Sequence, residues 1–218
     1  MDFELSADQK LLMTSLDGLL TPFRSPPTGA HGYVEYSAAL QTELAEGGFL
    51  EIASQPGFGP LDAALMIEEI ASCPVGVEVA ATTLIGPLTG RFAAPMALAW
   101  SLGRPMRYLS HAKSVCLFQD DSVLVGTLAS DDFDPVESVV AYPLASLKAA
   151  PGDATRYSGK ESAAIKRRAL IGIAAEAAGV ADIAALFALA EPIERALPID
   201  DEVCRGPEHL RLLIPDDA

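Results

Sequence analysis

The residues of this chain that could do chemistry are few and scattered. Glu68 and Glu69 stand side by side in L-M-I-E-E-I, a pairing that general acid and base work can use. At helical spacing, though, neighbouring glutamates are more often solvated or paired with a cation, and that reading is favoured. Asp131-Asp132-Phe133-Asp134 is rich in carboxylates but lacks the glycine and closing glutamate of a calcium loop, so it reads as a connection between strands. Gly86-Pro87-Leu88-Thr89-Gly90-Arg91 holds an arginine beside a glycine that could meet a phosphate, although a helix-breaking turn is the better account. His31 lies in a Gly-rich loop, His111 beside a predicted strand and His209 near the end, which gives no local support to a triad or a metal cluster. Cys73, Cys116 and Cys204 are far apart and without CxxC spacing, and read as small buried hydrophobes. There is no GxGxxG, no P-loop and no G-x-S-x-G. No catalytic residue and no metal ligand is assigned on this basis.

The chain that must position these residues has 218 of them, enough for a substantial core. Half the residues are hydrophobic and only 6% aromatic, an alanine-driven composition that suits helices packed closely through small side chains. A net charge of -15 argues against nucleic-acid or anionic-membrane surfaces, which would repel it over most approaches. The N-terminal residues lack the basic and apolar regions of a signal peptide, and no apolar run reaches membrane-spanning length, so a cytoplasmic protein is expected.

In order, Ser6-Ala7-Asp8-Gln9 has the form of a capping box and opens a helix to about Leu20, stopped by Pro22. Residues 24–32 read as an exposed loop. Tyr36, Leu40 and Leu44 mark a second helix that ends at a left-handed cap in Gly47-Gly48. A short apolar piece, Phe49 to Ala53, precedes a third helix with Pro60 in its first turn and Leu61, Leu65, Met66 and Ile70 turned inward. A fourth helix is expected from Pro74 through Val75, Val79 and Thr82-Thr83, broken at Gly86-Pro87. From about Pro95 the period changes. Met96 to Trp100, Met106 to Tyr108, Ser114 to Phe118, Ser122 to Leu128 and Val136 to Tyr142 predict a small antiparallel sheet, with a hairpin turn at Gln119-Asp120-Asp121. Residues 149–159 read as a linker. Ser158 with Glu161 then starts a long Ala-rich helix to Ala190, with Ile165, Ala169, Ile173, Ala177, Val180 and Phe187 toward one side. Its smoothness predicts packing against other helices, with Ile173, Ala177 and Val180 as the candidate subunit interface. Residues 205–214 could hold one more short element. The fold class expected is α+β: an N-terminal helical domain (1–94), a small central antiparallel β-domain (95–157), and a long helix of an incomplete C-terminal bundle with a tail (158–218).

This order resembles the acyl-CoA dehydrogenase family. The likeness is carried by Asp2-Phe3-Glu4-Leu5-Ser6 with Gln9, by Leu44-Ala45-Glu46-Gly47-Gly48-Phe49, by Leu65 to Ile70, and by Ala174-Ala175-Glu176-Ala177-Ala178-Gly179. The resemblance implies FAD and an acyl-CoA thioester bound between helical domain, β-domain and bundle. It also implies a glutamate base that takes the α-proton while hydride leaves to the flavin. The chain departs from that pattern. It has neither the T-E-x-x-x-G-S-D loop nor the W-I-(T/S)-N segment nor R-x-x-F-G, for which Arg195 with Pro198-Ile199 is a faint echo, and no stretch for the catalytic glutamate. The resemblance therefore implies a short member, similar to subunits of heteromeric steroid-type enzymes in fatty acid or steroid degradation. Such a chain is not expected to act alone, and its partner would be a full-length, flavin-bearing dehydrogenase subunit. The alternative is a non-catalytic helical scaffold that kept the fold and lost the chemistry.

Overall fold

A computed structural model describes residues 4–25, 35–90, 92–137 and 143–196, with backbone alone at 35 and 182–196. The chain divides into two compact units, Met1–Ile183 and Ala184–Ala218.

Helix α1 (Ala7–Leu20) begins at the expected capping box: the Ser6 hydroxyl accepts from Gln9 N at 3.2 Å and Gln9 Oε1 from Ser6 N at 2.9 Å. Helix α2 (Ala38–Glu46) ends at Gly47, and Gly48 at φ 73° makes the left-handed turn into a 3₁₀ segment, Phe49–Ser54. Helix α3 (Pro60–Ala71) starts at Pro60, but its inward face is Ala63, Met66, Ile67 and Ile70. Leu61, expected inside, is 67% exposed, because the buried arc is centred a third of a turn away.

The stretch after Pro74 corrects the sequence reading. Its V-G-V-E-V alternation stays extended, and β2 (Val75–Gly76) pairs in parallel with β1 (Glu35–Tyr36). Helix α4 (Ala80–Thr89) starts only after it and runs through Gly86-Pro87. Pro87 is tolerated because only the last turn follows it, so little of the helix ladder depends on the missing N–H.

The β-region forms two sheets instead of one antiparallel sheet. The first is mixed, in the order β3 (Met96–Ala99), β5 (Ser114–Phe118), β6 (Ser122–Thr127), β9 (Thr155–Ser158), with β3 and β5 parallel. The second is antiparallel, in the order β4 (Pro105–Arg107), β8 (Leu144–Leu147), β7 (Phe133–Val136). β9 falls in the expected linker. It is short and largely polar because it is an edge strand, which carries little hydrophobic signal. The hairpin at 119–121 is present, closed by Gln119 N donating to Ser122 O at 2.9 Å.

β5 is buried along its whole length, and its alternation divides the core. Val115 and Leu117 face the second sheet with Leu109, Ala145 and Leu147. Cys116 and Phe118 face Ala81 and Ile85 of α4 and Ile165 and Ala169 of helix α5 (Gly159–Ala196). A third cluster joins Leu16, Leu40, Met66 and Ile70 to Leu84 and Ala175. α4 thus touches both the helical core and the β-region, and α5 lies over it. Gly172 makes room for Ala80 and Leu84, and at Gly179 a Cβ would stand 2.0 Å from the Glu68 carbonyl oxygen.

Candidate functional site

Where α4, the two sheets and α5 meet there is a cavity of about 200 Å³, with Glu78, Trp100, Arg107, Tyr108, Ile173 and Glu176 on its walls. None of these was singled out for chemistry by spacing. Glu78 is the deepest, 4% exposed, and it is placed by the start of α4. Its Oε1 accepts from Ala81 N at 2.7 Å, and its Oε2 accepts from Thr82 N at 3.4 Å and from the Thr82 hydroxyl at 2.5 Å. A carboxylate there satisfies N–H groups that the helix leaves unpaired and meets the positive end of its dipole. The Thr82 hydroxyl in turn accepts from Met96 N at 3.0 Å, and Glu78 N donates to Gln41 Oε1 at 3.1 Å.

Glu176, 9% exposed, projects from α5 and accepts from Arg107 Nη2 at 2.7 Å. Arg107 lies over the Tyr108 ring at 5.6 Å. Tyr108 sits at φ 64°, a conformation that costs a non-glycine residue roughly 1 kcal/mol and orients its ring toward Tyr36, 6.3 Å away. His111 stacks on Tyr36 at 4.0 Å.

Burial pushes the Glu78 carboxyl up to about 7; the Thr82 hydrogen bond opposes that rise and the charge of Glu176 adds to it. Glu176 is raised by burial too, with Arg107 pulling it back. Burial also lowers His111 and raises Tyr36, the latter with help from Glu78. The junction can therefore hold and release a proton near neutrality. It does not hold Glu78 as an oriented base, since both oxygens already accept from α4.

The residues that line this cavity do not fit a flavin dinucleotide. The cavity is below the roughly 300–1,000 Å³ of organic-ligand pockets. Its cation, Arg107, is engaged by Glu176, and two carboxylates would face an anionic pyrophosphate. A wider groove of about 500 Å³ between α1 and the 3₁₀ segment is lined by Leu11, Leu12, Phe49, Ile52 and Phe58 with Asp8, and carries no cation.

The sequence candidates lie elsewhere and are not brought together. Glu69 pairs with Arg24 at 2.6 Å, and Glu68 lends its carbonyl to the α5 contact. Asp132 closes a turn by accepting from Ala129 N, and Asp134 pairs with Lys148 at 2.9 Å. Among the described residues no group of three or more His, Cys, Asp or Glu could hold a metal ion. Cys73 and Cys116 are buried and free, as expected of small hydrophobes. On α5, Ile173 is half-buried on the cavity wall, while Ala177 and Val180 are exposed. His31, Arg91, Cys204, His209, Pro198-Ile199 and 205–214 lie outside the described residues, as do the side chains of Phe187 and Arg195. Glu78 and Glu176 left one signal, a lone glutamate inside an apolar run, V-G-V-E-V and A-A-E-A-A.

No protein-family model matches the chain, and no curated protein matches it in sequence. A search of solved structures finds a similar one in the ChsE4-ChsE5 complex from Mycobacterium tuberculosis, with a TM-score of 0.63 and 13% identity, covering 92% of this chain and 70% of that one. Among the described residues no helix is long and apolar enough to cross a membrane. At that identity the likeness is one of architecture, and the architecture, helices, then small sheets, then a long helix, is acyl-CoA dehydrogenase-like.

Proposed function

We propose that the chain is a subunit of a hetero-oligomeric acyl-CoA dehydrogenase in which a flavin-bearing partner supplies both FAD and the glutamate base. The reaction is oxidation of the Cα–Cβ bond of an acyl-CoA thioester from fatty acid or steroid degradation, in the cytoplasm. Residues 1–94, 95–157 and 158–218 act as its helical, β and bundle-forming parts.

The observation that carries this reading is the outer arc of α5. Leu170 is 61% exposed and Val180 43%, with Ile171, Ala174 and Ala177 also exposed between them. The opposite arc is buried on α3 and α4. An apolar helix face of this kind suits a further helix. That the similar solved structure is a complex of two different proteins supports a heteromer over a homomer. The carboxylate-lined cavity supports a flavin carried by the partner. It equally suits a helical scaffold with no chemistry, so the partner's identity is what separates the two readings.

The test is co-expression with a dehydrogenase encoded beside it, followed by mass and visible absorbance of the purified species. A coloured complex of the two chains is expected, and Leu170→Glu with Val180→Glu should split it while the lone chain stays folded. A yellow lone chain defeats the proposal, and a stable complex with a partner that binds no flavin favours the scaffold.

A further inference from the structure

A groove of about 530 Å³ lies between the residues that follow β3 and the turn joining β5 to β6, with Arg156 of β9 also on its wall. That volume falls within the roughly 300–1,000 Å³ of pockets that take small organic molecules. Trp100 is its flattest surface. The indole stacks on Phe118 at 4.1 Å and 14°, which fixes its tilt, and the residue is still 45% exposed. A held aromatic ring with an open side offers a large contact area at little ordering cost.

The turn is held more firmly than a short connection requires. Gln119 N donates to Ser122 O at 2.9 Å, the Ser122 hydroxyl donates to Gln119 Oε1 at 3.0 Å, and Arg156 Nη1 donates to both side chains, at 3.1 and 2.6 Å. Lys166 of α5 donates to the carbonyl oxygens of Gln119 and Asp120 at 2.9 and 2.7 Å. None of these bonds uses the Asp120 or Asp121 carboxylate, and neither carboxylate has an ion pair among the described residues. Two acceptors are thus set rigidly on the groove wall with nothing to accept from. Ser101 lines the groove as well, and its buried hydroxyl has no hydrogen-bond partner among the described residues.

Charge narrows the class of ligand. The two carboxylates stand against the Arg156 guanidinium on the wall and the Lys166 ammonium behind the turn. A cation gains little where two cations already sit, and a phosphate or carboxylate meets two acidic groups. A neutral ligand that both donates and accepts suits the site, and hydroxyl groups do both. They donate to Asp120 and Asp121 and accept from the Gln119 amide. A pyranose ring joins such hydroxyls to a flat C–H face that matches Trp100. We propose that this groove is a carbohydrate site, with Trp100 against the ring face and the 119–121 turn on its hydroxyls. The site needs neither flavin nor partner, so it stands or falls apart from the subunit role.

Trp100 is the only tryptophan in the sequence, so its emission reports on the groove directly. Titrating the full chain with methyl β-glucoside, methyl α-mannoside, maltose and cellobiose should give a saturable change in the millimolar range with at least one of them. Asp120→Ala combined with Asp121→Ala should weaken that binding by about tenfold or more. Circular dichroism and melting temperature should not change, because neither carboxylate has a partner to lose. Trp100→Leu should abolish the binding when it is followed by calorimetry. Glu176→Gln, on the smaller cavity that Trp100 also borders, should leave the midpoint in place. No saturable change with any of the four sugars, an unmoved midpoint in the Asp120/Asp121 variant, or lost binding in Glu176→Gln overturns the assignment. Tighter binding of methylguanidinium or adenosine monophosphate than of any sugar does so too, giving the groove to a cation or a nucleotide. If Trp100→Leu does not fold, the Asp120/Asp121 variant decides.

Discussion

The fold pushes the Glu78 carboxyl up to about 7 because burial removes its water, and the backbone N–H groups and hydroxyl that replace it offset only part of that loss. Its folded value lies above its unfolded one, so the fold is favoured below the unfolded value, near 4.5, and that advantage is lost as pH rises through about 7. The shift corresponds to about 3 kcal/mol. Urea unfolding should accordingly find Glu78→Gln more stable than the parent at pH 8, by up to ~3 kcal/mol, with the two converging in acid. Arg107 makes the opposite case. Replacing it with Met leaves Glu176 buried without its partner and should cost about 1–3 kcal/mol at neutral pH, the lower end because Arg107 is itself half exposed. That loss should shrink as pH falls, because burial raises the Glu176 carboxyl and its protonated form needs no cation; a pH-independent loss would mean that Arg107 acts through packing alone.

At the scale of elements, α5 decides the most. Its seat depends on absent side chains, since a Cβ at Gly179 would collide with the backbone of α3, which cannot swing aside as a side chain could. Gly179→Val should cost about 3 kcal/mol or lift α5 locally, read as a lowered melting temperature and faster amide exchange in the helix. Gly152→Ala, where a Cβ meets nothing within 4 Å, is the control and should be neutral. The long helix was legible from its alanine run and its start near Ser158-Glu161, and so was part of its buried side, at Ile165 and Ala169; the close seating of Gly172, Glu176 and Gly179 was not. Ala177 and Val180, proposed for a subunit interface, are exposed on this chain. Hydrophobicity ranks a glycine low, yet close approach of backbones selects it.

For the whole molecule, the acidity and the cavity lead to one expectation. The chain purified alone should show no flavin absorbance in the visible, and adding FAD should not raise its melting temperature beyond a degree or so. A shift that grows with FAD concentration would assign this chain its own flavin site.

The sequence by itself determined what depends on neighbours along the chain. The capping box at Ser6 and Gln9, the left-handed turn at Gly48, the Pro60 start, and the strands at 114–118 and 122–127 all follow from local backbone preference and periodicity. Tertiary structure decided what depends on residues far apart. It set V-G-V-E-V as extended chain against β1, drew a polar segment into the sheet edge as β9, and turned the small residues of α5 inward. Above all it brought Glu78, Arg107 and Glu176 into one cavity. Each is an ordinary surface-type residue by composition. Only the packing of α4, β4 and α5 removes the water around them, and that desolvation makes their charges matter.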